Sequence, residues 1–149
     1  MRFKLAAAIG TGALLVAVTA APAHAATNTI TVGPTGTVTN RILVSVRVTI
    51  VCDPLPDTPL FSGASVTVQQ ANGQRVSTGT GGASTFSGPA APFLTCDGLT
   101  ANTAVVQVLP DPGSGPFKGG GAVVTARFDY QTQTGSESGS TLATVRLRG

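Results

Sequence analysis

The side chains best placed for chemistry in this chain are two aspartates that each follow a cysteine, Cys52-Asp53 and Cys96-Asp97. If the two sulfurs join, their Cα atoms come within about 5.5–6 Å. The two carboxylates would then be neighbours, and Asp57, four positions beyond Asp53, would be in reach of them. Two or three carboxylates would suit Ca²⁺, which takes oxygen ligands. A carboxylate pair would also serve as acid and base on a glycosidic bond. The plainer reading is that Asp-Pro and Asp-Gly open turns after strands, where the carboxylate caps free backbone N–H groups. The three readings predict different partners for Asp53, Asp57 and Asp97, so the fold must decide among them.

Other chemistries lack their residues. The one histidine, His24, lies in an N-terminal segment that reads as an export signal. Past that segment no imidazole remains for a Ser-His-Asp or Cys-His arrangement. Structural zinc would have two sulfurs and nothing else of its usual donor set. Gly119-Gly120-Gly121 has no strand-to-helix context for a nucleotide phosphate. The single Met is the initiator, so haem has no usual axial ligand. No cofactor is expected, and a non-enzymatic role follows.

The address is written at the start. Met1-Arg2-Phe3-Lys4 is basic, Leu5 to Ala21 is uncharged and mostly apolar, and Ala23-His24-Ala25 supplies small residues before a cut. This is the grammar of a secretory signal peptide over 1–25, with cleavage expected after Ala25. A single secreted domain over 26–149 would remain. Arg2 and Lys4 leave with the signal, so seven basic residues stand against six acidic ones, a formal charge of +1. The basic residues are scattered, so no nucleic acid is expected as a partner. No second apolar run of spanning length follows, so the mature chain is expected to be free of membrane spans and released outside the cell.

Export also bears on the cysteines. Two Cys in an oxidising compartment are expected to form one disulfide. Their spacing is far from Cys-x-x-Cys, no Lys or His adjoins either sulfur, and the following Asp would raise a thiol pKa. A structural Cys52–Cys96 bridge closing a 45-residue loop would contribute about 4 kcal/mol in the chain-entropy model.

The elements that must position these residues read as strands. Ile42, Val44, Val46, Val48, Ile50 and Cys52 alternate with Arg41, Ser45, Arg47 and Thr49, a period of two over 41–52. Ala122, Val124, Ala126, Phe128 and Tyr130 alternate likewise. Shorter runs at 28–32, 64–70, 75–79, 93–96, 103–109 and 142–148 complete the set. Gly33-Pro34-Thr35-Gly36 reads as a turn, and Asn72-Gly73 as the positive-φ pair of a tight hairpin. The stretches 79–82, 113–121 and 131–140 read as mobile loops from their Gly and Ser content. Short strands between Gly, Pro, Asp and Ser clusters, with no helical periodicity, predict an all-β antiparallel sandwich.

Contact surfaces are sought in the loops. Asp53-Pro54-Leu55-Pro56-Asp57-Thr58-Pro59 is the best candidate for docking a partner, because its prolines limit unbound freedom. Phe61 and Phe117 stand in Pro/Gly-rich surroundings and are candidate exposed contacts; the plainer reading is an apolar plug that pins a loop. Phe128 and Tyr130 share the apolar parity of their strand and read as core. A sugar platform would need flat aromatic faces, and the chain has no Trp.

Asn28-Thr29-Ile30-Thr31-Val32, a Gly turn, the Val-rich strand into Cys52, Cys96-Asp97-Gly98 and a terminal Val145-Arg146-Leu147 follow a familiar order. In this the chain resembles a family of small secreted actinobacterial proteins with an immunoglobulin-like sandwich and no assigned activity. The resemblance implies a single immunoglobulin-like β-sandwich with one disulfide and carries over no catalytic residues. Leu94 stands where true immunoglobulin domains place a Tyr, and their Trp is missing. The small, Val/Thr/Gly-rich character is also similar to that of sandwich apoproteins that carry enediyne antibiotics. The function expected first is therefore a secreted, non-enzymatic binding or structural module for an unidentified extracellular protein or small ligand. The second is a carrier of a small apolar ligand, with Phe61, Phe93 or Phe117 lining its groove.

Overall fold

The computed structural model describes residues 28–54, 57, 60–86 and 94–149, with the backbone alone for 84–86. The signal segment, Leu55, Pro56 and Phe93 lie outside the described residues. Seven strands run in chain order: β1 (Thr29–Thr39), β2 (Leu43–Val51), β3 (Phe61–Asn72), β4 (Arg75–Phe86), β5 (Asn102–Pro110), β6 (Gly120–Gln131) and β7 (Ser136–Arg148). No helix occurs among the described residues. Accordingly, none of them forms a helix long and apolar enough to cross a membrane.

The all-β class and the disulfide are as expected. The sheet, however, closes on itself as a barrel in the order β1-β2-β5-β4-β3-β6-β7. Two short seams complete the closure. β4 meets β5 at Gly79↔Pro110 and Thr80↔Leu109, and β1 meets β7 in parallel from Thr35↔Arg146 to Thr37↔Arg148. All other pairings are long and antiparallel.

Period-two patterning explains the interior. Val44, Val46, Val48 and Ile50 of β2 are fully buried, as are Val106 and Val108 of β5. Val66 and Val68 of β3 lie beside Val124, Ala126 and Phe128 of the paired strand β6 in the same core. β-branched side chains suit this pleated packing. Each fully buried Val or Phe contributes about 1.5–3 kcal/mol relative to exposure. Burial also pushes the Tyr130 phenol pKa up by desolvation.

Local chemistry departs from the expectation at seven places. Ile42, expected to face inward, is 56% exposed. Asn40 and Arg41 take positive φ (52° and 63°), and the Ile42 N–H donates to the Thr39 carbonyl at 3.2 Å. This three-residue connection, Asn40 to Ile42, ends β1 and leaves Ile42 outside the strand. Gly33-Pro34-Thr35-Gly36 is not a turn. The chain stays extended, and the pairing slips between Val32 and Gly36 as a bulge. Pro has no ladder N–H to lose there. The β3–β4 hairpin turns one residue later than expected. Asn72 pairs with Arg75, and Gly73 alone has positive φ, the II′ pattern.

The stretch 79–82 is strand rather than loop, because its glycines are what lets β4 approach β5. A Cβ on Gly81 would overlap the Gln107 carbonyl oxygen, and one on Gly79 would come within 2.8 Å of the Phe117 ring. The stretch 113–121 is pinned. Phe117 is fully buried, its N–H donates to the Arg41 carbonyl at 3.0 Å, and the Gln70 amide clamps Lys118 through its N–H and carbonyl. Ser77 and Asn72 both donate to the Pro116 carbonyl at 3.1 Å. Of the stretch 131–140, residues 136–140 belong to β7. The expected strand at 93–96 has no strand in its described part, 94–96.

Candidate ligand-binding surface

Cys52 and Cys96 are joined, with their Cα atoms 4.7 Å apart. Cys52 and Leu94 are buried in the core, so the bridge draws the segment before β5 against the end of β2. Asn102 holds the same segment by side-chain bonds. Its Oδ1 accepts from the Thr95 N–H at 2.7 Å, and its Nδ2 donates to the Thr95 and Ile50 carbonyls. Asn28 links three strands at this end. It accepts from the Asp53 N–H at 3.1 Å and donates to the Glu137 carboxylate at 2.6 Å. Neither asparagine was singled out in the sequence. Their signal is weak: a lone Asn at a strand boundary, whose amide both donates and accepts.

The three candidate aspartates are employed separately. Asp97 caps its own turn. The Thr100 hydroxyl donates to one oxygen at 2.5 Å, while the Thr100 and Leu99 N–H groups donate to the other at 2.6 and 2.8 Å. These bonds, the Thr100 hydroxyl foremost, hold the Asp97 carboxyl down at about 2. Asp57 accepts from the Thr134 hydroxyl in the β6–β7 turn. Asp53 is half-buried beside the Gly98 turn, whose N–H donates to the Cys52 carbonyl at 2.9 Å. Among the described residues no three of His, Cys, Asp and Glu gather as a metal site. The geometry of Asp97 is that of the turn reading.

The two aromatic contact candidates separate. Phe117 is corrected from exposed contact to core: it plugs the barrel end where β5 passes to β6, out of reach of any partner. Phe61 is half-buried at the start of β3, in a place where a surface ligand would meet it. Pro54 is exposed at the same end of the barrel.

Around Phe61 the outer face of β3 and β6 is shaped by small residues. The register sets Phe61 opposite Gln131, Gly63 opposite Asp129, and Ser65 opposite Arg127. The ring lies back over Gly63, since a Cβ there would be 3.0 Å from its Cζ. An aromatic ring covering a strand glycine restores packing that the glycine lacks. Arg127 and Asp129 share one face of β6 and join at 2.8 Å, with a second bond from Nε at 3.1 Å. Their side chains are 60% and 45% exposed, so the pair adds at most about 1 kcal/mol to stability.

Two clefts flank the ring. One, about 270 Å³, lies between Phe61, Ser65, Gly82 and Asp129. The other, about 380 Å³, lies between Phe61, Arg127, Gln131, Ser136 and Ser138. Together they present an apolar ring, a guanidinium donor, a carboxylate acceptor and several hydroxyls. Comparison with protein-family models, curated proteins and solved structures finds no match to this chain. The chemistry of the surface must therefore speak for itself.

Proposed function

We propose that this protein is a secreted, non-enzymatic binding module that takes a saccharide on its outer face around Phe61. The observation that carries the proposal is the pair of clefts on either side of that ring, each edged by Asp129. A sugar ring offers an apolar C–H face to an aromatic plane and hydroxyls to charged partners. Charge-assisted hydrogen bonds from Arg127 and to Asp129 would be stronger than neutral ones. Gly82, exposed and without a side chain, leaves room beside the ring for close approach.

Several features support the wider reading. The disulfide is compatible with an oxidising compartment, in keeping with a signal peptide over 1–25 and release from an actinobacterial cell. The caps and hydroxyl contacts on Asp97 and Asp57 leave those carboxylates in structural roles, which favours binding over catalysis. Full burial of Phe117 favours a surface ligand over an apolar cargo held in a groove. An immunoglobulin-like relationship is supported by the two seams. They divide the barrel into β1-β2-β5 and β4-β3-β6-β7, with β1 running parallel to β7.

The test is retention of the processed protein on cellulose, chitin and peptidoglycan, wild type beside Phe61→Ala. Wild type is expected to bind one of the three polymers. The variant is expected to bind about tenfold more weakly, a loss of about 1.4 kcal/mol. No retention on any polymer, or equal retention of the variant, would refute the proposal.

A further inference from the structure

Charge is divided between the two ends of the barrel. Asp53, Asp57, Asp97, Asp129 and Glu137 all belong to the end where β2 finishes and β3 and β7 begin. They are five of the six acidic residues in the chain. The opposite end carries Arg41 in the β1–β2 turn, Arg75 at the β3–β4 hairpin, Lys118 in the β5–β6 loop, and Arg146 and Arg148 at the end of β7. Only Asp111 opposes them there.

Internal pairing does not cancel this polarity. Arg127 neutralises Asp129. The hydrogen bonds to Asp57, Asp97 and Glu137 come from Thr134, Thr100, Leu99 and Asn28, all neutral donors, so those charges persist. Strands of 12 residues, tilted as barrel strands are, set the ends roughly 30 Å apart. That is several times the Debye length of about 8 Å in physiological salt, so the ends barely attract each other within one molecule.

We propose that the two ends are complementary docking faces, by which copies of this chain associate head to tail along the barrel axis. A two-fold dimer made through the ends would set like charge on like. Only the head-to-tail arrangement joins opposites, and as a heterologous contact it repeats into open chains instead of closing. A polyanion on the basic end would leave the acidic end without a counterpart; a second copy satisfies both.

Sedimentation velocity of the processed protein in 25 and 500 mM NaCl tests this. At low salt the weight-average mass is expected to rise with concentration past that of a dimer; at 500 mM it should return to the monomer. Two variants with unchanged melting temperature complete the experiment. R146E/R148E keeps the acidic end, and D53N/E137Q keeps the basic end. Each alone is expected to be monomeric, and their mixture to form a one-to-one dimer. Several results would overturn the proposal: a monomer at every salt, a salt-insensitive mass, a closed dimer, or variants that do not combine. Retention on phosphocellulose without self-association would also overturn it, in favour of a polyanion.

Discussion

Replacing Gly81 by Ala tests barrel closure at its narrowest point. The new Cβ would overlap the Gln107 carbonyl oxygen, and would stand 2.7 Å from that carbonyl carbon and 2.9 Å from the Val108 Cα. All three are backbone atoms, so no rotamer change relieves the clash, and β4 and β5 must separate. The seam between them has only two paired positions on each strand, next to Phe117. Overpacking of this kind costs about 1–3 kcal/mol. The lower entropy of the unfolded alanine chain offsets about 0.4–1 kcal/mol of it. At roughly 4 °C per kcal/mol for a domain of this size, a Tm drop of several degrees is expected. Gly121→Ala is the matched control: it lies in β6 and a Cβ there meets nothing within 4 Å. It should stay within about 0.5 kcal/mol of wild type. Urea unfolding of both variants gives the comparison. Equal stability of Gly81→Ala and Gly121→Ala would refute the close approach of β4 to β5.

Three further outcomes follow from particular contacts. Replacing Cys52 and Cys96 together by Ser should cost about 4 kcal/mol, because their separation of 44 positions closes a long loop; urea unfolding with and without reductant checks it. Phe117→Ala should cost about 3–5 kcal/mol and release residues 113–118 to fast hydrogen exchange, since the ring anchors that loop. Asp97 has its folded pKa lowered to about 2 from 3.8, so its contribution is complete above pH 4 and fades as pH falls toward 2. The Tm difference between wild type and Asp97→Asn should therefore narrow across that window, and a constant difference would contradict the cap.

Much of the body was legible in the sequence. Val44 to Ile50 and Ala122 to Tyr130 alternate because one face of each strand packs on the core, and that pattern survives in any β arrangement. The cysteine pair was legible from its chemistry alone. What composition concealed was the use of small residues. Gly79 and Gly81 look like a flexible loop, yet they sit in a strand where another backbone passes too near for a side chain. The bulge at Gly33–Gly36 is written in the residues of a turn, and only the parallel partner β7 shows why the chain stays extended. Phe117 lies in a Pro/Gly-rich stretch that reads as mobile; its anchors, Gln70 and Ser77, come from residues about 40–50 positions earlier. Such pairing across the chain is a property of topology, and local spacing does not encode it. The candidate surface was half legible: Phe61 was singled out, whereas its Arg127 and Asp129 neighbours arrive only through the β3–β6 register.

Amide chemical shifts of the isotope-labelled protein, followed as soluble peptidoglycan or chitin fragments are added, test surface recognition most directly. The account predicts shifts confined to Phe61, Gly63, Arg127, Asp129 and Ser138, with the inward residues of β2 and β5 unmoved. Shifts centred on Phe117, Val106 and Phe128, or none with any fragment, would contradict it.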